Sequence, residues 1–259
     1  MRMRSYLTIS LAIAFGALAV LGPLQGSART GTGASLATPP LPLAQVVDRL
    51  MQRSAERAYA LERFRGRRFY SIDYNGFPKM HAEMVVDVVY TAPSTKDFTI
   101  ISESGSGLLL KHVLKRLLDT EKEALEDRNR ARVDVTTNNY YFAMAGYEPS
   151  PDGCSYSLAA TPKVPNKFLF RGRIWVDEND FAVCKIEAEP AINPSFWIKK
   201  TNVHHQYEKV GDFWLPKENL SVSDIRFDGT ATLTIKYQNY QILAVRGHAP
   251  IVGDATGVK

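Results

Sequence analysis

The run Phe168–Tyr240 constrains the fold more than any other part of the chain. Apolar and polar residues alternate there at the period of a strand, and turn residues break the run at short intervals. Phe168–Val176 (FLFRGRIWV) and Phe181–Glu189 (FAVCKIEAE) flank the acidic turn Asp177-Glu178-Asn179-Asp180. Lys199–Lys209 and Phe213-Trp214-Leu215-Pro216 flank Gly211-Asp212, and Thr230–Tyr240 (TATLTIKYQNY) closes the run. Consecutive hairpins of this kind build an antiparallel sheet.

The preceding segments extend that sheet. Arg67–Tyr74 meets Lys79–Tyr90 at Asn75-Gly76, a dipeptide suited to a tight hairpin because both residues tolerate positive φ. Within Lys79–Tyr90, Met80, Ala82, Met84, Val86, Val88 and Tyr90 share one face. Asp97–Glu103, Val133–Val135, Tyr140–Tyr147 and Tyr156–Ala160 also read as extended. Two segments have helical periodicity instead. Leu43–Glu62 places Leu43, Val46, Val47, Leu50, Met51, Ser54, Ala55, Ala58 and Leu61 on one side, with Arg49, Arg53, Glu56, Arg57 and Arg63 on the other. Leu108–Asp127 carries the stripe Leu110, Val113, Leu114, Leu117, Leu118 and Leu125. A sheet of roughly ten strands curls or closes, and a helix inserted between strands covers one face of it. The expected class is therefore mainly β (α+β): a half-open, curved antiparallel sheet or barrel. Its concave face is covered by an N-terminal helix and an inserted helix.

The N-terminus predicts export. Arg2 and Arg4 precede the uncharged apolar stretch Tyr6–Leu24, and Gly26 and Ala28 suit a cut after Ala28. The competing reading, a retained anchor, rests on the length of that stretch; Pro23 and the small residues after it favour cleavage. The division is then a signal peptide (1–28), a flexible Gly/Thr/Pro linker (29–42), one domain (43–245) and a flexible tail (246–259). A leader of this kind implies the periplasm in a diderm host. Cleavage lowers the net charge of +5 by two. Dispersed charge and export together argue against a nucleic-acid partner. The basic cluster Arg63–Arg68 reads as a solvated strand edge.

Cys154 and Cys184 are the two cysteines, and an oxidising compartment favours their pairing. If Cys154 sits on a strand two places from that of Cys184, the spacing of roughly 4.8 Å per strand separates them too far. A bond requires Cys154 to lie in the preceding turn and fold over.

The chain carries no recognisable catalytic signature. Its histidines, His81, His112, His204, His205 and His248, lack metal-binding spacing. His204 and His205 are adjacent in a strand and must face opposite sides. Ser104 and Ser106 lie among glycines but not in a nucleophile elbow. Asp177, Glu178 and Asp180 suit a turn. No cofactor, metal site or enzymatic activity is expected. What remains is a concave apolar face larger than one or two helices can fill, and such concavities take apolar ligands.

Several stretches resemble the outer-membrane lipoprotein-sorting proteins of the LolA/LolB-like superfamily. They are Gly172–Asp177 with Lys185-Ile186-Glu187, Tyr207–Gly211 with Phe213–Pro216, and Thr232–Tyr237. The resemblance is best over Tyr140–Tyr240. It implies a half-open barrel whose cavity receives the acyl chains of a lipoprotein or lipid, and a cavity arginine coupled to lid opening. Arg171 and Arg173 are placed for that arginine by strand alone. The same fold also serves periplasmic regulators that bind proteins. The expected function is that of a monomeric, non-enzymatic carrier of an acylated lipoprotein or lipid; the alternative is a regulator with a membrane-associated protein partner. The expected cavity lining is Met80, Met84, Val86, Val88, Leu110, Leu114, Leu117, Phe170, Ile174, Leu233 and Ile235.

Overall fold

The computed structural model describes residues 40–226 and 229–247. The signal peptide, most of the linker and the tail beyond residue 247 lie outside the described residues. The chain order is α1 (Leu43–Ala60), β1 (Leu61–Tyr74), β2 (Met80–Thr91), β3 (Thr95–Gly105), α2 (Gly107–Leu109), a π-helical turn (Leu110–Leu114), α3 (Lys115–Leu125) and α4 (Asp127–Val133). Seven further strands follow: β4 (Tyr140–Tyr147), β5 (Tyr156–Pro162), β6 (Phe170–Val176), β7 (Val183–Pro190), β8 (Ile198–Val210), β9 (Phe213–Ile225) and β10 (Thr230–Val245).

The ten strands form one antiparallel sheet in the order β3-β2-β1-β10-β9-β8-β7-β6-β5-β4. The pairing of β1 with β10 joins an N-terminal meander to a C-terminal one. The sheet stays open, with β3 and β4 at its edges. The helices α2 to α4 connect these two edge strands in sequence, so the inserted segment crosses the sheet instead of extending it.

One row of directly paired residues crosses the whole sheet. It runs Glu103, Met84, Tyr70, Ile235, Asn219, His205, Ile186, Ile174, Leu158, Met144. Its interior members are buried, because a period of two keeps the same parity of each strand on the covered face. The row is apolar toward both flanks and polar in the middle, at Asn219 and His205.

The cover comes in two halves. Val46, Val47 and Leu50 of α1 pack on Tyr156, Leu158, Phe170, Ile174 and Ile186 of the C-terminal strands. Leu109, Leu114, Leu117 and Leu118 pack on Tyr70, Met84, Val86 and Ile235 at the other side. The central strands β8 and β9 present Thr201, His205, Asn219, Ser221 and Ser223, all buried.

Two local expectations are corrected. The basic cluster is not at a sheet edge, because β1 lies between β2 and β10; Arg63 and Arg65 face outward while Arg68 is buried. Val133–Val135, expected to be extended, forms no strand: the short helix α4 runs through Val133. The acidic turn behaves as expected: the Asp177 carboxylate accepts from the backbone N–H groups of Asn179 and Asp180, at 3.0 and 2.6 Å. Cys154 lies in the turn before β5 and is bonded to Cys184 of β7, with Cα atoms 6.2 Å apart.

Gly172 of β6 pairs directly with Ala188 of β7. A Cβ there meets the carbonyl oxygen of Glu187 and the Cα of Ala188. Gly172→Val should therefore destabilise the fold by about 1–3 kcal/mol in urea unfolding, through overpacking. Gly107→Ala, with open space around its Cβ, should leave stability nearly unchanged.

Candidate functional site

Two cavities lie against the covered face, on the central strands that neither helical half fills. The first, of about 190 Å³, is apolar. Its walls are Ile72, Met80, Leu109, Val113, Leu117 and Leu233, with the hydroxyls of Thr201, Ser221 and Ser223 at one side. Trp197 also lines it and is exposed, as are Phe77 in the β1–β2 turn and Leu108 beside Leu109. These side chains belong to the end of the sheet where β1 finishes and β2, β8 and β10 begin.

The second cavity, of about 130 Å³, is more polar than the first: charged, hydroxyl and aromatic groups border it beside apolar walls from Leu61, Phe64, Val183, Phe213 and Leu215. It is bordered by Ser54 and Arg57 of α1, Arg68 of β1, Lys96 of β3, Glu121 of α3, His205 and Tyr207 of β8, and Tyr237 and Tyr240 of β10. A bulge brings both tyrosines inward. Asn239 takes a φ of +56°, the β1–β10 register shifts there, and the inward parity of β10 changes between Tyr237 and Tyr240. Tyr240 then donates to the Pro216 carbonyl at 2.8 Å.

A buried ion cluster stands at this cavity. Arg68 meets the Glu121 carboxylate with two hydrogen bonds, 2.6 and 3.0 Å long. Lys96 donates to the same carboxylate at 2.5 Å. The Arg68 guanidinium also lies 5.0 Å from the ring centre of Tyr237 and 5.5 Å from that of Phe98. Burial opposes ionisation of Glu121, but the Arg68 and Lys96 cations outweigh it and hold the carboxyl well below the usual carboxylate range. The cluster ties α3 to β1 and β3 and, with Lys96 protonated, has one positive charge in excess; burial pulls the Lys96 amine below its ordinary value and the Glu121 carboxylate opposes this.

His205 completes the site. Ser221 Oγ donates to Asn219 Oδ1 at 3.0 Å, which turns the Asn219 amide nitrogen toward His205 Nδ1 at 2.9 Å. An amide nitrogen only donates, so Nδ1 accepts, and the proton of the neutral ring sits on Nε2. Burial, then the nearby Arg68 cation, push the imidazole down to about 4, so the ring is neutral at physiological pH. His204 is exposed on the opposite face.

The expected lining residues separate into three groups. Met80, Leu117 and Leu233 border the apolar cavity. Met84, Val86, Val88, Leu114 and Ile235 are packed in the core beneath α2 and α3, with Leu110 against it. Phe170 and Ile174 lie in the other half, under α1. Arg171 and Arg173 are exposed on β6; the buried arginine that reaches the inserted helix is Arg68. Lys96 and Glu121 escaped the sequence reading, while Arg68 was read only as part of a solvated edge and His205 only as a strand histidine without metal-binding spacing. The one legible hint was strand parity, which puts Arg68 on the same face as Tyr70 and Ile72. Among the described residues, no group of three His, Cys, Asp or Glu side chains is placed to hold a metal ion.

Removing the central carboxylate leaves two cations buried together. Glu121→Gln should cost about 3–5 kcal/mol at pH 7. Because the Glu121 carboxyl titrates below its ordinary value of 4.5, its stabilisation is complete above that value and fades as pH falls toward the folded-state value. The difference between wild type and variant in urea melts should thus be constant from pH 6 to 8 and shrink below about pH 4.

No protein-family model matches the chain, and no curated protein matches its sequence. Several solved structures align with most of the chain at low identity. A LolA superfamily protein from Nitrosomonas europaea aligns over 76% of this chain and 93% of its own, at 11% identity and a TM-score of 0.35. An outer membrane lipoprotein-sorting protein domain from Vibrio parahaemolyticus aligns over 80% and 95%, at 8% identity and a TM-score of 0.41. MucB in the Pseudomonas aeruginosa MucA/MucB complex aligns over 74% and 93%, at 10% identity and a TM-score of 0.27.

Proposed function

We propose that this protein is an exported, non-enzymatic carrier that buries an acyl chain of a lipoprotein or lipid, acting in the periplasm. The observation that carries the reading is the apolar cavity of about 190 Å³ between the inserted helical segment and the sheet. Its volume exceeds the ~150 Å³ of an engineered apolar cavity that takes up benzene. Its walls come from both the sheet and the helices, through Met80 and Leu233 on one side and Leu109, Val113 and Leu117 on the other. Each methylene buried there contributes about 0.8 kcal/mol. A full acyl chain is longer than this space, so taking one up requires α2 and α3 to shift from the sheet. The exposed Trp197, Phe77 and Leu108 at the same end of the sheet provide apolar surface beside the cavity, as an acyl ligand leaving a membrane or another protein requires.

Native mass spectrometry and lipid extraction of protein purified from its own cell envelope should recover an acylated ligand. Absence of lipid, together with failure of any acyl probe to compete into the protein, would overturn the reading. A crosslinked pull-down that enriches one membrane protein without lipid would select the regulatory alternative. Leu233→Trp fills the cavity from β10 and should weaken binding of a fluorescent fatty acid by about tenfold or more, two or so methylenes' worth of burial. Its melting temperature serves as the control for folding.

A further inference from the structure

The polar cavity contains more unmet hydrogen-bonding capacity than its surroundings explain. Ser54 Oγ, His205 Nε2 and the Tyr207 hydroxyl are buried without a hydrogen-bond partner, and all three side chains border this one cavity. Buried polar atoms are nearly always paired, so a cluster of unpaired ones calls for a ligand or ordered water. The Nε2–H of His205 is a donor of fixed orientation, because the Ser221–Asn219–His205 chain sets its tautomer. The charged groups bordering the cavity are Arg57, Arg68, Lys96 and Glu121, three cations against one carboxylate. Arg57 is spoken for by the carbonyls of Asp180 and Phe181, at 2.8 and 3.0 Å, while the Arg68–Lys96–Glu121 cluster keeps its excess positive charge. Donors and positive potential together favour a ligand atom that accepts hydrogen bonds.

The two cavities are neighbours. Leu117 borders the apolar one and Glu121 the polar one, and these residues are one turn apart on α3. On the sheet, Ser221 borders the apolar cavity and His205 the polar one, joined through Asn219. We propose that the polar cavity is the head-group subsite for the acyl ligand, where a carboxylate or ester carbonyl oxygen accepts hydrogen bonds from His205 Nε2–H and the Tyr207 hydroxyl while the chain lies in the apolar cavity. This deepens the carrier reading and rests on it. A carboxylate and an ester carbonyl share the required acceptor chemistry; the excess positive charge favours the carboxylate.

The test uses the mature chain and calorimetric titration with dodecanoate, methyl dodecanoate and dodecyltrimethylammonium, each below its micelle concentration. Dodecanoate should bind at least tenfold more tightly than the cation of equal chain length. Tyr207→Phe should weaken dodecanoate by about tenfold or more, the loss expected of a hydrogen bond to a charged group. It should not lower the melting temperature, because the lost hydroxyl has no partner in the fold. A purely structural tyrosine would show the reverse pattern. His205→Leu should weaken dodecanoate likewise; if that variant does not fold, Tyr207→Phe decides. Methyl dodecanoate binding nearly as well as dodecanoate identifies an esterified acyl ligand, and much weaker binding identifies a free fatty acid. Equal affinity of wild type and Tyr207→Phe for dodecanoate, or equal affinity of wild type for the cation, would overturn the subsite while leaving the carrier reading intact. Failure of every probe to bind wild type would overturn both.

Discussion

A single open sheet of ten strands has one broad face to bury and little chain with which to bury it. That constraint organises the rest of the molecule. Here α1 covers the C-terminal strands and the α2–α3 segment covers β1, β2 and β10. Each makes a compact apolar cluster, and each has a definite width. The seam between them falls on β8 and β9, which neither cluster fills. Both cavities border this seam, and the buried polar residues of the sheet line it.

The seam also accounts for the ion cluster. A helix packed on a sheet is held by whatever it buries, and α3 buries a carboxylate as well as leucines. Glu121 bridges Arg68 on β1 and Lys96 on β3, so the helix is fixed to strands far from it in sequence. Such a pairing contributes little beyond what well-packed leucines would, yet it is costly to break, because an unpaired charge would remain in the interior. It therefore specifies where α3 sits more than how stable the fold is. It also places positive charge beside the unfilled space, which bears on what that space can hold.

Buried polar groups along the seam are not all alike. Thr201 and Ser223 satisfy each other at 2.8 Å, and Asn219 is held on both sides. Ser54, His205 and Tyr207 keep unpaired atoms. A network satisfied along the sheet and unsatisfied at the cavity is the pattern expected where stability has been given up for binding. The apolar end lacks this feature and resembles an underfilled core.

The strands were legible in the sequence because their signals are local. Period-two alternation and turn residues at Asn75-Gly76, Asp177–Asp180 and Gly211-Asp212 act within a few residues, and they place the hairpins nearly where the structure has them. The periodicity of Leu43–Glu62 and Leu108–Asp127 likewise predicts two helices, and strand parity predicts the opposite faces of His204 and His205. What only the tertiary structure decided are the relations between distant segments. The pairing of β1 with β10 buries Arg68 in mid-sheet, where the sequence suggests an exposed edge. Glu121 meets Arg68 across 53 residues. Met84, Phe170 and Ile174 fill cores, while Met80, Leu117 and Leu233 border space. No local pattern distinguishes an apolar residue that meets a neighbour from one that meets a void. That difference depends on the width of the cover relative to the sheet, which exists only once the chain has folded.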